Sequence, residues 1–278
     1  MQCLACLWKQ HRSYWRNPYY NVVRFFFTTV SSLMFGSLYW KLGSKTGTLQ
    51  DLFNTMGAMY AATLFIGISN SSSVMPVVGI ERTVYYRERA AGMYSALPYA
   101  FAQTIIEIPY VLIQTILYTF VVYSMLGFIW TAGKFFWFLF LMFFSFLYFS
   151  YYGMMCVALT PSHHFAAVIA SACYGLWNLF SGFLIPRTSI PIWWRWFCWA
   201  TPVSWTLYGL ITSQLGDLDD QEVEIPEQGQ KLVSKFITEY FGYHQSFLSI
   251  VCVMHVVFVI LFAFVFGICM KYINFQRR

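Results

Sequence analysis

Charged residues are scarce in this sequence. Only 10% of its 278 residues are Asp, Glu, Lys or Arg, whereas 59% are hydrophobic and 22% are aromatic. Soluble domains carry about 25% charged residues, because a folded chain must cover its core with polar surface. So little charge excludes a soluble globular domain, and the composition indicates an integral membrane protein.

Several kinds of site are also missing. No Gly-x-x-x-x-Gly-Lys-[Ser/Thr] motif occurs, and the nearest approach, the stretch 43–46, lacks the glycine before the lysine. The seven cysteines are scattered, and only Cys3 and Cys6 have metal-like spacing, with no second pair. We therefore expect no catalytic, metal or cofactor site on this chain. Its basic residues lie at the ends of apolar segments, which argues against nucleic-acid binding.

Long apolar runs dominate what is present. Six are long enough, at roughly 20 residues, to cross a bilayer as helices, and none alternates as barrel strands do. They are Val22–Trp40, Met56–Val78, Ile105–Phe128, Phe135–Leu159, Ala166–Ile185 and Phe247–Met270. The sequence thus predicts an all-α membrane protein with six transmembrane helices.

The N-terminus has a different pattern. Leu4, Leu7, Trp8 and Trp15 recur at helical spacing with basic residues between them, and Asn17-Pro18 ends the pattern. This predicts an amphipathic helix on the membrane surface within residues 1–19. The membrane domain then covers residues 20–278.

The positive-inside rule indicates that a seventh apolar stretch, Ile190–Leu215, does not cross the membrane. With six spans, ten of the seventeen basic residues share a side with both termini and the 79–97 loop. These are Lys9, Arg12, Arg16, Arg24, Arg82, Arg87, Arg89, Lys271, Arg277 and Arg278. The opposite side holds Asp217, Asp219, Asp220, Glu222, Glu224 and Glu227. We therefore expect both termini in the cytosol. Within 186–245 we expect a re-entrant element over 190–215, with its tryptophans at the interface, and a mobile external loop over 216–245.

Charge is concentrated in one cytosolic segment, 79–97. Glu81, Arg82, Arg87, Glu88 and Arg89 fall within nine residues, and Gly92 is suited to end a short helix there. Two interpretations are open: the charge serves topology alone, or its mixed signs and interleaved tyrosines form a surface that docks on another cytosolic domain.

Polar residues inside the predicted spans are candidate functional residues. Glu107 is either functional, in contact with headgroup water, or paired with a loop arginine. Ser69, Asn70 and Ser73 form a polar patch that suits a cavity wall or close helix packing. Ser69 with His255 also permits a serine-protease hypothesis, although no oxyanion hole is evident. In the fifth span, Trp177, Asn178 and Phe180 suit either a large apolar ligand or ordinary packing.

Four blocks of the sequence carry a specific resemblance. They are "YWRNPYYNVVRF" (14–25), "ERTVYYRERAAGMYSALPYAFAQTIIEIPY" (81–110), "FSGFLIPRTSIPIWWRW" (180–196) and "PVSWTLYGLITSQLGD" (202–217). Together they resemble the transmembrane domain of ABCG-type ABC transporters, and most closely the C-terminal half of the plant pleiotropic drug resistance (PDR) proteins. The resemblance covers essentially the whole chain.

The resemblance implies an ABC-2 type fold and several roles. Residues 1–19 would be the connecting helix, and 81–89 would contact a nucleotide-binding domain that binds ATP and Mg²⁺ and is absent from this chain. A substrate cavity would lie between the second and fifth spans of two paired transmembrane domains. Phe183 and Leu184 would form an extracellular valve above it.

The resulting expectation is a plasma-membrane domain of an ATP-driven exporter that moves amphipathic or apolar small molecules by alternating access. The chain would be either part of a longer protein or a short product. The alternatives are a non-transporting half that pairs with other ABCG proteins, and a gradient-driven carrier that depends on Glu107.

Overall fold

The computed structural model describes residues 2–45, 47–218, 221–225 and 229–275. Thr46, Asp219, Asp220, Glu227, Arg277 and Arg278, which the sequence interpretation uses, lie outside these residues. Within them the fold is almost entirely helical. The helices are α1 (Gln2–Trp15), α2 (Pro18–Leu38), α3 (Leu49–Ala90), α4 (Ala96–Leu126), α5 (Ala132–Leu159), α6 (His163–Leu179), α7 (Ile192–Ala200), α8 (Pro202–Leu215), α9 (Val233–Phe241) and α10 (Leu248–Tyr272).

Local capping explains several helix boundaries. Asn17 accepts a hydrogen bond from the Tyr20 amide at 3.3 Å, and Pro18 occupies the first turn of α2. The predicted break at Asn17-Pro18 is therefore confirmed. At the start of α3, Thr48 accepts from the Asp51 amide at 3.2 Å.

Helix α3 is much longer than the predicted second span. Its 42 residues extend for about 63 Å, roughly twice the bilayer core. The charged segment 81–89 continues this helix rather than forming a separate short one. The turn that follows contains Gly92 at φ +73°, as the sequence indicates.

Four of the described helices are long and apolar enough to cross a membrane: α3, α4, α5 and α10 with the turn before it. The first and fifth predicted spans correspond to α2, of 21 residues, and α6, of 17. The fifth was predicted to continue to Ile185, but α6 ends at Leu179. Gly182 beyond it has φ +91°, a conformation that a regular helix does not contain.

The core is built around α5, which packs between α3 and α10 and is buried continuously from residue 145 to residue 154. Helix α8 packs against α5 and α10, and all 14 of its residues are buried. Trp205 on α8, predicted at the membrane interface, is therefore in the interior. In contrast, Trp193 and Trp196 on α7 are exposed.

The described residues of the segment 216–245 contain regular secondary structure, whereas the sequence predicts a mobile loop there. Strands β1 (Glu222–Ile225) and β2 (Gly229–Leu232) pair antiparallel, and α9 follows. Val233, Phe236, Ile237 and Phe241 are buried at helical spacing, which gives this segment an apolar face to pack.

Candidate functional site

Helices α3 and α6 lie side by side and form one candidate wall of a substrate cavity. Tyr60 on α3 donates its hydroxyl to the side-chain oxygen of Asn178 on α6. Farther along the pair, the Tyr174 hydroxyl donates to Ser71 Oγ. These bonds hold together the two helices that correspond to the second and fifth predicted spans.

Most of α6 is uncovered. Ala166 and Ala170, together with Tyr174, form the buried stripe that packs on the rest of the chain. Ser171 and Gly175 are exposed, and a Cβ at Gly175 would meet no atom within 4 Å. The exposed surface of this helix therefore combines small residues with large apolar ones, such as Val168 and Leu176.

The polar patch of α3 does not lie on this wall. Ser69 and Ser73 are each two positions from Ser71, which faces α6, and two residues turn about 200° around a helix, so both serines lie on the opposite side of α3. Ser69 and Ser73 are half-buried, and Ser73 donates to the Asn70 carbonyl at 2.9 Å. The Asn70 side chain is buried and accepts from Gln114 Nε2 at 2.8 Å. Asn70 therefore faces the protein, whereas its serine neighbours are partly accessible.

The three predicted residues of α6 and its C-terminal turn do not form one face. Asn178 is exposed, and Trp177 is half-buried with its ring centroid 4.5 Å from that of Tyr152. Phe180 is buried elsewhere, against Trp194 and Phe197 at centroid distances of 5.4 and 4.9 Å. The structure thus separates Phe180 from the wall.

Phe183 and Leu184 lie beyond the end of α6. The Phe183 ring stacks on Tyr60 at a centroid distance of 5.2 Å, which places it beside the wall. Leu184 is 56% exposed. The pair therefore combines one anchored aromatic ring with one free aliphatic side chain.

The geometry gives no support to the protease hypothesis. Both ring nitrogens of His255 have other partners, Thr206 Oγ1 at 3.1 Å and the Val251 carbonyl at 2.8 Å. Ser69 makes no hydrogen bond to His255 among the described residues, so no nucleophile–base pair is formed.

A buried ion pair joins helices α2 and α4. Glu107 on α4 and Arg24 on α2 meet at 2.9 Å, and their side chains are almost completely buried. Glu107 also accepts from the hydroxyl groups of Tyr14 on α1 and Tyr20, at 2.8 and 3.3 Å. The sequence left open that Glu107 pairs with an arginine in a loop. Glu107 does pair with an arginine, but this arginine, Arg24, lies within helix α2.

This ion pair belongs to a longer hydrogen-bond network. Arg24 Nε donates to Gln114 Oε1 at 2.8 Å, and the amide of Gln114 donates to Asn70. On the other side, Gln103 donates to the Tyr14 hydroxyl at 2.9 Å. A continuous chain of polar contacts therefore joins the patch on α3 to the N-terminal helix α1.

Two arginines of the charged segment bind helix ends of this chain. Arg82 is buried, and it donates to the carbonyl of Thr160 at 2.6 Å and that of Pro161 at 2.7 Å, just after α5. Arg89 donates to the carbonyls of Met270 and Lys271 near the end of α10. A cation at a helix C-terminus satisfies unpaired carbonyls and opposes the helix dipole.

The two glutamates of the segment face α1. Glu81 accepts from Ser13 Oγ at 2.9 Å, and Glu88 pairs with Lys9. Burial raises the pKa of Glu81, which lies beyond the apolar span 56–78, to about 7. Arg87 is exposed and has no hydrogen bond or ion pair among the described residues. The prediction that these five residues couple to another domain remains a prediction.

Sequence reasoning missed the partners in the network. Arg24 was interpreted only as a topology signal, although its position within the first predicted span marks it as an ionisable residue at membrane depth. The other available signals for the network were Gln103 and Gln114, two amide side chains in the mostly apolar helix α4. Their partners depend on the tertiary packing of α1, α2 and α4.

Residues 1–215 match the family of ABC-2 type transporters, and this match covers more than half of the chain. The chain belongs to the ABC-2 type transporter family. It is 60% identical over 277 residues to ABC transporter G family member 40 of Arabidopsis thaliana. It is also 59% identical to ABC transporter G family member 36 of Oryza sativa subsp. indica and 56% identical to Pleiotropic drug resistance protein 1 of Nicotiana tabacum.

Each of these alignments covers 100% of this ABC-2 domain but only 19% of the relative. The relatives are plant ABCG and PDR transporters, so the resemblance drawn from the sequence blocks is confirmed. The ABC-2 match and the apolar helices identify a membrane protein.

Proposed function

We propose that this chain is the membrane domain of an ATP-driven ABCG/PDR exporter that moves amphipathic or apolar small molecules across the plasma membrane. The observation that carries the proposal is the open α3/α6 wall, which one polar network joins to α1. A wall with both apolar and hydroxyl-bearing side chains suits ligands that are mostly apolar with a few polar groups.

The proposal includes six spans, with α2 and α6 added to the four longer helices. Both termini then lie in the cytosol, and α7 and α8 form a re-entrant element on the outer side. The break at Thr201 between an exposed α7 and a buried α8 supports this arrangement. Helix α6 is short for a span, and the bent segment 180–185 would complete the crossing.

Coupling to ATP would occur at the cytosolic end of α3. ATP and Mg²⁺ would bind on a nucleotide-binding domain, which would contact Arg87. This arginine lines a cavity of about 270 Å³ with Thr83, Tyr86 and Pro161, and has no partner among the described residues. Glu81 and Glu88 would pass the movement to α1, while Arg82 and Arg89 keep α5 and α10 attached to the same helix.

A second ABCG transmembrane domain would complete the cavity. The uncovered face of α6 and the exposed Leu184 support such a partner, because apolar and small side chains there have no covering element among the described residues. Substrate would enter from the cytosolic side between the two walls. Alternating access would then release it past Phe183 and Leu184.

The test places a bulky side chain on the wall. We expect Gly175→Trp to reduce ATP-dependent uptake of fluorescent amphipathic dyes at least tenfold, in inside-out vesicles that also contain the nucleotide-binding domain. Gly133→Trp on α5 is the matched control, because a Cβ there also meets no atom within 4 Å. Normal uptake by a Gly175→Trp protein present at wild-type level would contradict the proposed cavity.

A further inference from the structure

A separate cluster surrounds Arg187, with residues from the part of the chain between α6 and α10. The Arg187 side chain is 93% buried, since its relative exposure is 7%. Four aromatic rings surround its guanidinium, with centroids 4.3 to 5.8 Å from Cζ: those of Trp199, Trp205, Tyr208 and Tyr243. This arrangement is a cation–π cage built by the protein.

The cage leaves the arginine without an anion. Its only hydrogen-bond acceptor among the described residues is Ser204 Oγ, which Nη2 reaches at 2.8 Å and Nε at 3.3 Å. Nη1 is buried and has no partner there. Arg187 also forms no salt bridge with a described carboxylate. A buried cation normally requires a counter-charge, because burial removes the stabilisation that water provides.

A cavity of about 300 Å³ adjoins this arginine. Arg187 and the exposed Arg195 both line it, together with Thr188, Cys198, Trp199, Phe241 and Gly242. The lining therefore contains two cations, no carboxylate and two aromatic rings. Arg195 makes one long hydrogen bond, to the Ile190 carbonyl at 3.4 Å, so most of its donors remain available.

We propose that this cavity binds a small organic carboxylate. The carboxylate group accepts hydrogen bonds from the available donors of Arg195, and it lies beside Arg187, whose buried charge it balances. The apolar part of the ligand packs on the exposed part of the Trp199 ring. This site is distinct from the α3/α6 wall, so it would hold a ligand independently of the transported substrate.

Binding of radiolabelled octanoate to the full protein in nanodiscs tests this site, with empty nanodiscs subtracted. We expect saturable binding, and at least tenfold weaker binding of octanamide, which has nearly the same shape without the charge. Arg195→Gln should weaken octanoate binding at least tenfold. Lys235→Gln, which removes an exposed cation of α9 outside the cavity lining, should leave it unchanged.

Because Arg187 is buried, replacing it also disturbs the packing of the fold, so Arg195→Gln is the deciding variant. Equal affinity for octanoate and octanamide would overturn the proposal, as would unchanged binding in a folded Arg195→Gln protein. Binding of inorganic phosphate with no binding of octanoate would equally overturn it, since the site would then take an inorganic anion. Loss of transport in Gly175→Trp has no bearing on this result, so the two proposals fail separately.

Discussion

At the scale of single residues, several charged side chains of this domain have their partners within the chain. Arg24 and Glu107 neutralise each other in the interior, and Arg82 and Arg89 bind helix ends. The sequence identified Glu107 as unusual, because an ionisable side chain in an apolar run is rare. It did not identify the partner, since α2 and α4 meet only in the folded chain.

Removing one partner of the buried ion pair should be strongly destabilising. We expect Glu107→Leu to cost about 3–5 kcal/mol, because it leaves the Arg24 guanidinium buried without a counter-charge. The double variant Arg24→Leu/Glu107→Leu should recover part of this loss. Thermal unfolding of the detergent-solubilised protein would measure both variants.

An exposed ion pair provides the control for that experiment. Lys231 and Glu239 meet at 3.0 Å, with side chains 34% and 63% exposed. Glu239→Gln should therefore change stability by less than about 1 kcal/mol. A Glu107→Leu protein as stable as the Glu239→Gln protein would contradict the proposed importance of the buried pair.

At the scale of elements, α3 is the helix that connects the parts of the domain. It carries the polar patch in its middle and the charged segment at its end, and it contacts α1, α5, α6 and α10. Apolar length predicted a span within α3 but not its extension to Ala90. The polar residues 81–89 continue the helix because their side chains find partners on neighbouring helices.

The contact between α1 and α3 should depend on pH through Glu81. Its folded-state pKa is raised from 4.5 to about 7, chiefly by burial. A carboxyl group whose pKa is raised in the folded state contributes stability that is fully present below pH 4.5. That contribution is lost as the pH rises through 7. We therefore expect the unfolding temperature to fall between pH 5 and pH 8.

The same measurement on Glu81→Gln tests the assignment. This variant should show a smaller decrease over that range, since its side chain does not ionise. Glu239→Gln, which changes an exposed carboxylate of α9, should follow the wild-type curve. An identical pH dependence in the wild type and Glu81→Gln would show that another group is responsible.

At the scale of the whole molecule, composition and apolar runs were sufficient to predict a helical membrane domain, and the sequence blocks were sufficient for its family. The α3/α6 wall was anticipated in part: Asn178 lies along it, but Ser69 lies on the other side of α3 and Phe180 packs against α7 instead. Strands β1 and β2 and helix α9 were missed, because two four-residue strands and a nine-residue helix carry little periodic signal.

The central claim is that ATP, and not an ion gradient, drives transport through this domain. The most direct measurement is uptake of amphipathic dyes into inside-out vesicles, with ATP or without it, and with a protonophore present or absent. We predict uptake that requires ATP, is blocked by vanadate and persists with the protonophore. Uptake that proceeds without ATP and stops when the proton gradient is dissipated would contradict the account and favour a gradient-driven carrier.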